Sequence, residues 1–434
     1  MAGPAREQWA SRAGFVLATL GCTIGIGNIW RFAYVAGENG GGAFLLVYLV
    51  CVLAIALPVM LAEFALGSRT RSDVVAAFSS GRFPRAWRLA GAGLALGSFL
   101  ILSYYSVVAG WACKYLAGYA TGEFQALPRG EAAARFAAFM REPVEPVLWH
   151  LLFMAATTAV VAAGVERGIE RASRMLMPLL GAVVLLLAGY SLALPGGGKG
   201  LAFLFAPDWS ALARPQLYLA ALGQAFFSLG IGMGVMVTYA GYVREGWQMP
   251  RAALLTVVGD TLFVFAAGIA VFPAVFAFGL DPAQGAALAF VTLPQVFSLM
   301  PGGGWFAIAF FFLLVAAALT SAVSLLEVVV ALGMRRLGLT RAKAGIAAGL
   351  AAFAAGVPAA LDGRVLEAID RFTGGVLLPL GGIAVALFVG WFMPKQAALE
   401  GSGLHAGALA RAWLFAVRVL APAAIALMFA TQLA

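Results

Sequence analysis

Charge is what this sequence has least of. Of its 434 residues only 11% are Asp, Glu, Lys or Arg, against 63% hydrophobic, whereas a soluble protein carries about a quarter charged residues. That scarcity argues against a soluble globular enzyme and for a chain that crosses a membrane many times. Histidine is scarcer still. His150 and His405 both sit at the ends of apolar runs, so the His/Asp/Glu or Ser/His set of a membrane-embedded enzyme is missing. The three cysteines, Cys22, Cys51 and Cys113, lie inside apolar runs, and neither a disulfide framework nor a metal cluster is expected. A net charge of +9 could suggest nucleic acid, but the basic residues fall in short loops where they set topology. No nucleic-acid partner is expected. The opening MAGPAREQWASR has no A-x-A cleavage site, which makes the first apolar run a membrane helix, not a signal peptide.

Apolar runs of about 20 residues can cross the hydrocarbon core. Eleven are read here: 13–37, 41–67, 89–119, 147–164, 172–194, 215–242, 252–279, 304–333, 343–360, 373–393 and 408–432, called spans 1 to 11 below. Arginine concentrates in alternate loops: Arg69, Arg71, Arg82, Arg85 and Arg88 after span 2, Arg167, Arg171 and Arg174 after span 4, and Arg335, Arg336 and Arg341 after span 8. The positive-inside rule then puts the N-terminus in the cytoplasm and the C-terminus outside. The stretch 282–303 is weakly apolar and holds three prolines. It reads as an external loop with a short helix, suited to act as a lid.

Two spans are interrupted by glycine. Span 1 contains GCTIGIG (21–27), followed by Asn28 and Arg31, and span 6 contains SLGIGMG (228–234). Glycine is about 1 kcal/mol worse than alanine in a helix, although close packing of membrane helices also favours it. Spans 1 and 6 hold matching places in two five-helix halves, and paired breaks of that kind mark a midplane binding site in transporters. Freed N–H groups can meet a carboxylate there, and freed carbonyls can meet a small cation. Oxygen donors lie deep in other spans as well. Thr320 and Ser321 in span 8 either contribute to such a site or bond back to their own helix. Asp260 in span 7, Glu63 in span 2 and Glu327 in span 8 are intramembrane carboxylates, a functional signal by default. Asp260, two turns from a loop, could also snorkel.

The combination of GCTIGIGNIWRF and ENGGGAFLLVYL with PVMLAEFALG, SYY, GIERASRMLMP, GQAFFSLGIGMGVMVTYAGYV and LTS resembles the neurotransmitter:sodium symporters, in particular their bacterial amino-acid branch with eleven helices. The resemblance runs from span 1 to span 10. It implies an all-α polytopic membrane protein with a 5+5 inverted repeat, approximately 11–195 and 213–394, in one domain with an extra helix at 405–432. It further implies uptake of a substrate coupled to sodium, no other cofactor, and a bacterial inner membrane as the location.

Carried over by residue, the resemblance puts one sodium ion at Gly21, Ile24 and Ala317 carbonyls with the Thr320 and Ser321 hydroxyls. It puts another at the Thr23 carbonyl, Asn28, Ser228 and the position of Asp260. Family members usually have asparagine there, and chloride-dependent ones have a serine where this chain has Val264. A carboxylate at Asp260 would supply the negative charge that chloride otherwise brings, so chloride independence is expected. Gly25 stands where monoamine transporters carry aspartate, leaving room for the carboxylate of an α-amino acid, with Tyr105 as its contact. The implied substrate site comprises Cys22, Thr23, Gly25, Gly27, Ile101, Tyr105, Phe227, Ser228, Gly230, Met233, Ser321 and Leu325. Its apolar lining points to neutral hydrophobic amino acids, aromatic ones included.

Arg31 and Asp370 match the family's external gate, with Phe227 as its aromatic lid. Arg6, Trp9 and Tyr242 match the internal gate, but its usual aspartate is replaced by Arg335, so Arg6 has no partner by this reading. Gly168 and Pro178 match a family G-x9-P pattern, either as a site of local unwinding or as an ordinary helix kink. A channel, a non-transporting amino-acid sensor on the same scaffold, and a symporter for another small amine or amino acid are the rival readings. The first would need a continuous polar pore, whereas the polar groups here gather at one depth.

Overall fold

The computed structural model describes residues 7–79, 85–124, 130–279 and 288–433. Among them helices make up the whole architecture, with one isolated bridge between Gly41 and Pro207 in place of any sheet. Among the described residues nine helices are long and apolar enough to cross a membrane, and the bent pair Arg12–Thr23 and Gly27–Glu38 makes a tenth. The remaining expected span, the sixth, is present as two helices, Pro215–Ser228 and Val235–Gly241. Each of these is too short to cross alone at 1.5 Å per residue.

The lengths repeat between the two halves. Span 2 (Gly42–Thr70) and span 7 (Met249–Ala277) each have 29 residues, and span 3 (Trp87–Thr121) and span 8 (Gly303–Leu337) each have 35. Spans 3 and 8 pack on each other, span 4 packs on span 9, and span 5 on span 7. The two broken spans run through the middle of this frame, against spans 2, 7 and 8. The break in span 1 falls at the extended Ile24, and the break in span 6 follows from its glycines. The halves of span 1 meet at 62°. In span 6, Gly230, Gly232 and Gly234 have φ of +63°, +81° and +75°, a region that other residues enter only at a cost. At Gly232 a Cβ would also lie 2.2 Å from the Leu378 carbonyl oxygen, so no side chain fits there.

Between spans 7 and 8, the short helical stretch Leu288–Leu299 matches the helix expected in the 282–303 loop. Residues 280–287 lie outside the described residues. An amphipathic helix, Glu131–Arg141, lies between spans 3 and 4. Span 5 opens with a π-helical turn, Val165–Glu170, and continues as helix through Pro178. Gly168 is a close-contact position, since a Cβ there would be 2.0 Å from the Val160 carbonyl oxygen.

Candidate functional site

The two breaks face each other and span 7 closes the gap with a carboxylate. Asp260 is fully buried. Asn28 Nδ2 donates to its Oδ1 at 2.6 Å, and Ser228 Oγ donates to its Oδ2 at 2.8 Å. Asn28 Nδ2 also reaches Ser228 Oγ at 3.1 Å, and Gly25 N donates to Asn28 Oδ1 at 3.3 Å. One residue from each broken span is thus tied to the same acid. Asp260 does not snorkel. Of the expected first group, Asn28, Ser228 and Asp260 converge on this point, and Thr23 lines the neighbouring cavity.

The second group also comes together. Ser321 Oγ lies 3.3, 3.1 and 3.3 Å from the carbonyl oxygens of Gly21, Cys22 and Ile24. These carbonyls are free to turn outward because the helix ends at Thr23, and Ile24 is extended, with ψ of 98°. Thr320 bonds back to Ala317 at 3.0 Å, and a Cβ on Gly21 would be 3.1 Å from the Thr320 Cβ. These are carbonyl and hydroxyl oxygens without a charged ligand, the donors a hard monovalent cation takes. Among the described residues no group of three or more His, Cys, Asp or Glu side chains forms a metal site.

Between the two groups lies a cavity of ≈ 30 Å³ lined by Cys22, Thr23, Gly25, Gly27, Asn28, Ile101, Tyr105, Phe227, Gly230, Met233, Ser321 and Leu325. Of the expected substrate contacts, only Ser228 is not part of that lining. Its floor is set by Gly25, where a Cβ would come within 2.8 Å of both Tyr105 Oη and Ser321 Oγ. Tyr105 Oη is placed by the N–H of Ile26, at 3.0 Å. Its roof is Phe227, so close to Gly27 that a Cβ there would be 2.3 Å from the ring. Ligand pockets usually measure roughly 300–1,000 Å³, so Phe227 and its neighbours must move before a molecule the size of an amino acid fits.

Further side chains support the site, and the sequence reading missed them. Tyr48 donates to Ser228 at 3.4 Å, Gln224 Nε2 reaches the Gly27 carbonyl at 3.5 Å, and Ser98 holds the Met233 carbonyl at 2.5 Å. Tyr48 and Gln224 fall inside stretches that carry the family resemblance, where no site role is assigned to them, and Ser98 lies outside those stretches. Glu63 was noticed, and its task is now visible: Oε1 accepts the N–H of Gly232 at 2.8 Å, in the unwound part of span 6.

The two ends of the site differ. At one end the guanidinium of Arg31 lies 4.3 Å over the Phe227 ring, while Asp370 accepts from Tyr104 at 2.7 Å. Arg31 and Asp370 do not form a direct ion pair among the described residues. On the other side Trp9 is fully buried, its Nε1 donating to the Tyr239 carbonyl at 2.9 Å. Tyr242 donates to Glu327 at 2.6 Å. Arg341 then grips Glu327 with two bonds of 2.7 and 3.0 Å and pairs with Glu7 through Nη2–Oε2 and Nε–Oε1. Arg6 lies outside the described residues, and Arg335 instead donates to the Arg71 carbonyl at 3.1 Å. Glu7 and Arg341 were legible only as loop charges, because 334 positions separate them. Nearby, the buried Glu170 accepts from Ala10 N and Ser11 Oγ at 2.8 Å each, fastening the N-terminal segment to the start of span 5.

Comparison with known proteins agrees with this geometry. The family model for the sodium:neurotransmitter symporter family matches residues 6–130 and 142–434. YhdH, an uncharacterized sodium-dependent transporter of Bacillus subtilis, is 38% identical over 97% of this chain and 96% of its own length. A sodium-dependent transporter of Haemophilus influenzae is 32% identical over 99% and 98%. The crystal structure of MhsT in complex with L-phenylalanine is similar in fold, with a TM-score of 0.92, 46% identity and coverage of 98% of this chain and all of that one. The chain belongs to the sodium:neurotransmitter symporter family, as a multi-pass, sodium-dependent transporter.

Proposed function

We propose that the protein takes up a neutral hydrophobic L-amino acid, aromatic ones included, together with sodium, by alternating access and without chloride. The observation that carries the reading is the meeting of Gly25, Tyr105 and Ser321 at a cavity whose ion side is closed by Asp260. A substrate carboxylate fits over Gly25, within reach of the Tyr105 hydroxyl and the N–H groups of the span 1 break. The side chain then extends toward Ile101, Met233 and Leu325, which offer no counter-charge, so a charged substrate is disfavoured. MhsT was crystallised with L-phenylalanine, and the same substrate class is inferred here.

Two sodium ions are assigned to the two groups of oxygens. At the first, Asn28 would present its amide oxygen and the Asp260 carboxylate would balance the ion. At the second, the carbonyls of Gly21, Ile24 and Ala317 join Thr320 and Ser321. The outer gate is Arg31, Phe227 and Asp370, and the inner one is Trp9, Tyr242, Glu7, Glu327 and Arg341, with the N-terminus cytoplasmic in the bacterial inner membrane. Release of the second ion inward would follow loosening of span 5 between Gly168 and Pro178, where the proline already removes one backbone bond. The repeats run approximately 11–195 and 213–394, with the helix at 405–432 outside them.

Uptake in proteoliposomes tests this directly. Wild type should accumulate phenylalanine or leucine under an inward sodium gradient equally well with chloride or gluconate outside. Asp260→Asn should transport at least about tenfold more slowly, the weight of ~1.4 kcal/mol, and should recover in part with chloride. A wild type that needs chloride, or no accumulation of any of the twenty amino acids, would sink the proposal.

A further inference from the structure

The buried intramembrane acids each have a donor: Glu63 has Gly232 N, Asp260 has Asn28 and Ser228, and Glu327 has Arg341 and Tyr242. One intramembrane cation is less well served. Arg418 lies within span 11, about ten residues along Ala408–Ala430. Its Nε donates to the Gly390 carbonyl at 2.6 Å, and its guanidinium carbon is 5.7 Å from the centre of the Trp391 ring. Trp391 in turn donates to the Arg418 carbonyl at 3.1 Å. Gly390 makes room for the stem, since a Cβ there would lie 3.0 Å from Arg418 Cγ. The seat is built at two facing π-helical turns, Phe388–Phe392 of span 10 and Ala416–Leu420 of span 11.

This seat uses one edge of the guanidinium. Among the described residues the two Nη atoms have no hydrogen-bond partner, and no carboxylate forms an ion pair with Arg418. Capping the last carbonyls of span 10 would explain the Nε bond, yet it leaves the fork unspent. The fork also sits where apolar gives way to polar: Phe392 ends span 10, and Lys395 opens the short helix Lys395–Ser402. Arg411, seven residues before Arg418, shares its helix face. Phe415 lies between them on that face at 61% exposure, and Trp391 is 62% exposed beside it. An outward face made of two arginines, an aromatic interlayer and an interfacial tryptophan suits a molecule with a charged head and an apolar tail.

We propose that Arg418, Arg411 and the Trp391 ring form a binding site for the phosphate of an anionic phospholipid, its acyl chain running inward from Arg418 along the apolar C-terminal half of span 11. A guanidinium fork matches phosphate oxygens in pairs. Basic pockets between membrane helices take anionic headgroups in the same way. Zwitterionic lipid offers the same phosphate with a neighbouring cation, which Arg411 would repel.

Native mass spectrometry of the full chain in mixed micelles with equal phosphatidylglycerol and phosphatidylcholine tests the site. Wild type should retain phosphatidylglycerol in preference, and Arg418→Gln should lower that preference about fivefold, the weight of one basic side chain at an anionic surface. Arg411→Gln and Trp391→Leu leave the Nε bond to Gly390 in place, so they carry the test if Arg418→Gln fails to fold, and both should lower the preference. Arg418→Lys, which keeps the charge and loses the fork, should fall between. Equal retention in wild type and all variants would overturn the site. So would stabilisation by inorganic phosphate equal to that by the lipid, or a preference that disappears with the dissociation of a second copy.

Discussion

The two ends of the central cavity hold similar residue types in different states. At the N-terminal end three charges and a phenol are joined directly: Glu7, Arg341, Glu327 and Tyr242, under a buried Trp9. At the other end Arg31 rests on Phe227 while Asp370 is held by Tyr104, and the two charges do not touch. An ion pair buried as deeply as Glu327 is stable only with its partner, because the desolvation of each charge must be offset by the other. A pair that has not formed leaves both groups hydratable. The structure is thus sealed at one end and latched loosely at the other, with the cavity between them too small for substrate. Each end can be broken separately.

Breaking the sealed end should have the largest effect. Arg341→Gln leaves Glu327 buried without a counter-charge, a loss of about 3–5 kcal/mol for a pair of this kind. Thermal unfolding in detergent should shift down strongly, uptake should be abolished, and Cys22 in the cavity should become open to alkylation from the N-terminal side. The double variant Arg341→Gln/Glu327→Gln should recover much of the stability, since it removes the orphaned charge. If the double variant is as unstable as the single one, the network is not what seals this end.

Asp370→Asn at the loose end should do less. The side chain's described contact is one hydrogen bond from Tyr104, which the amide oxygen of asparagine still accepts, so only the charge's share of the bond, about 1 kcal/mol, is lost. The expected outcome is a severalfold rise in KM for uptake with the melting temperature nearly unchanged. A loss of stability matching Arg341→Gln would erase the contrast between the ends.

How much of this contrast was readable follows from distance along the chain. The breaks in spans 1 and 6 announce themselves because glycine acts locally. Asn28, Ser228 and Asp260 stood out as polar groups in apolar runs, and burial then forces them to find one another. Glu63 was visible for the same reason, although its partner, the N–H of Gly232, could not be read from side chains. Glu7 and Arg341 sat among other loop charges, and nothing local separates a sealing arginine from a topological one. Arg335 illustrates this: it stands where the resemblance expects the gate's aspartate, yet its guanidinium caps the Arg71 carbonyl, while the cation that joins Glu7 and Glu327 lies six residues on. The expected contact between Arg31 and Asp370 rested on resemblance, and the resemblance does not say in which state of the gate a chain will be found.

The smallest effect is also the most discriminating, because its sign matters more than its size. Tyr104 and Arg31 compete for Asp370, and in this structure Tyr104 holds it at 2.7 Å. Tyr104→Phe removes that hydroxyl without changing the shape of the ring. Were Tyr104 only a structural contact, the loss of its bond would loosen this end further and substrate would dissociate faster, as with Asp370→Asn. If Tyr104 instead holds the latch open, its removal frees Asp370 to swing to Arg31, and dissociation slows. The second outcome is expected, by about threefold, the weight of ~0.7 kcal/mol, read as the off-rate of labelled amino acid from detergent-solubilised protein in sodium. A faster off-rate would mean that Arg31 and Asp370 stand apart for reasons of backbone position and not for want of a free carboxylate.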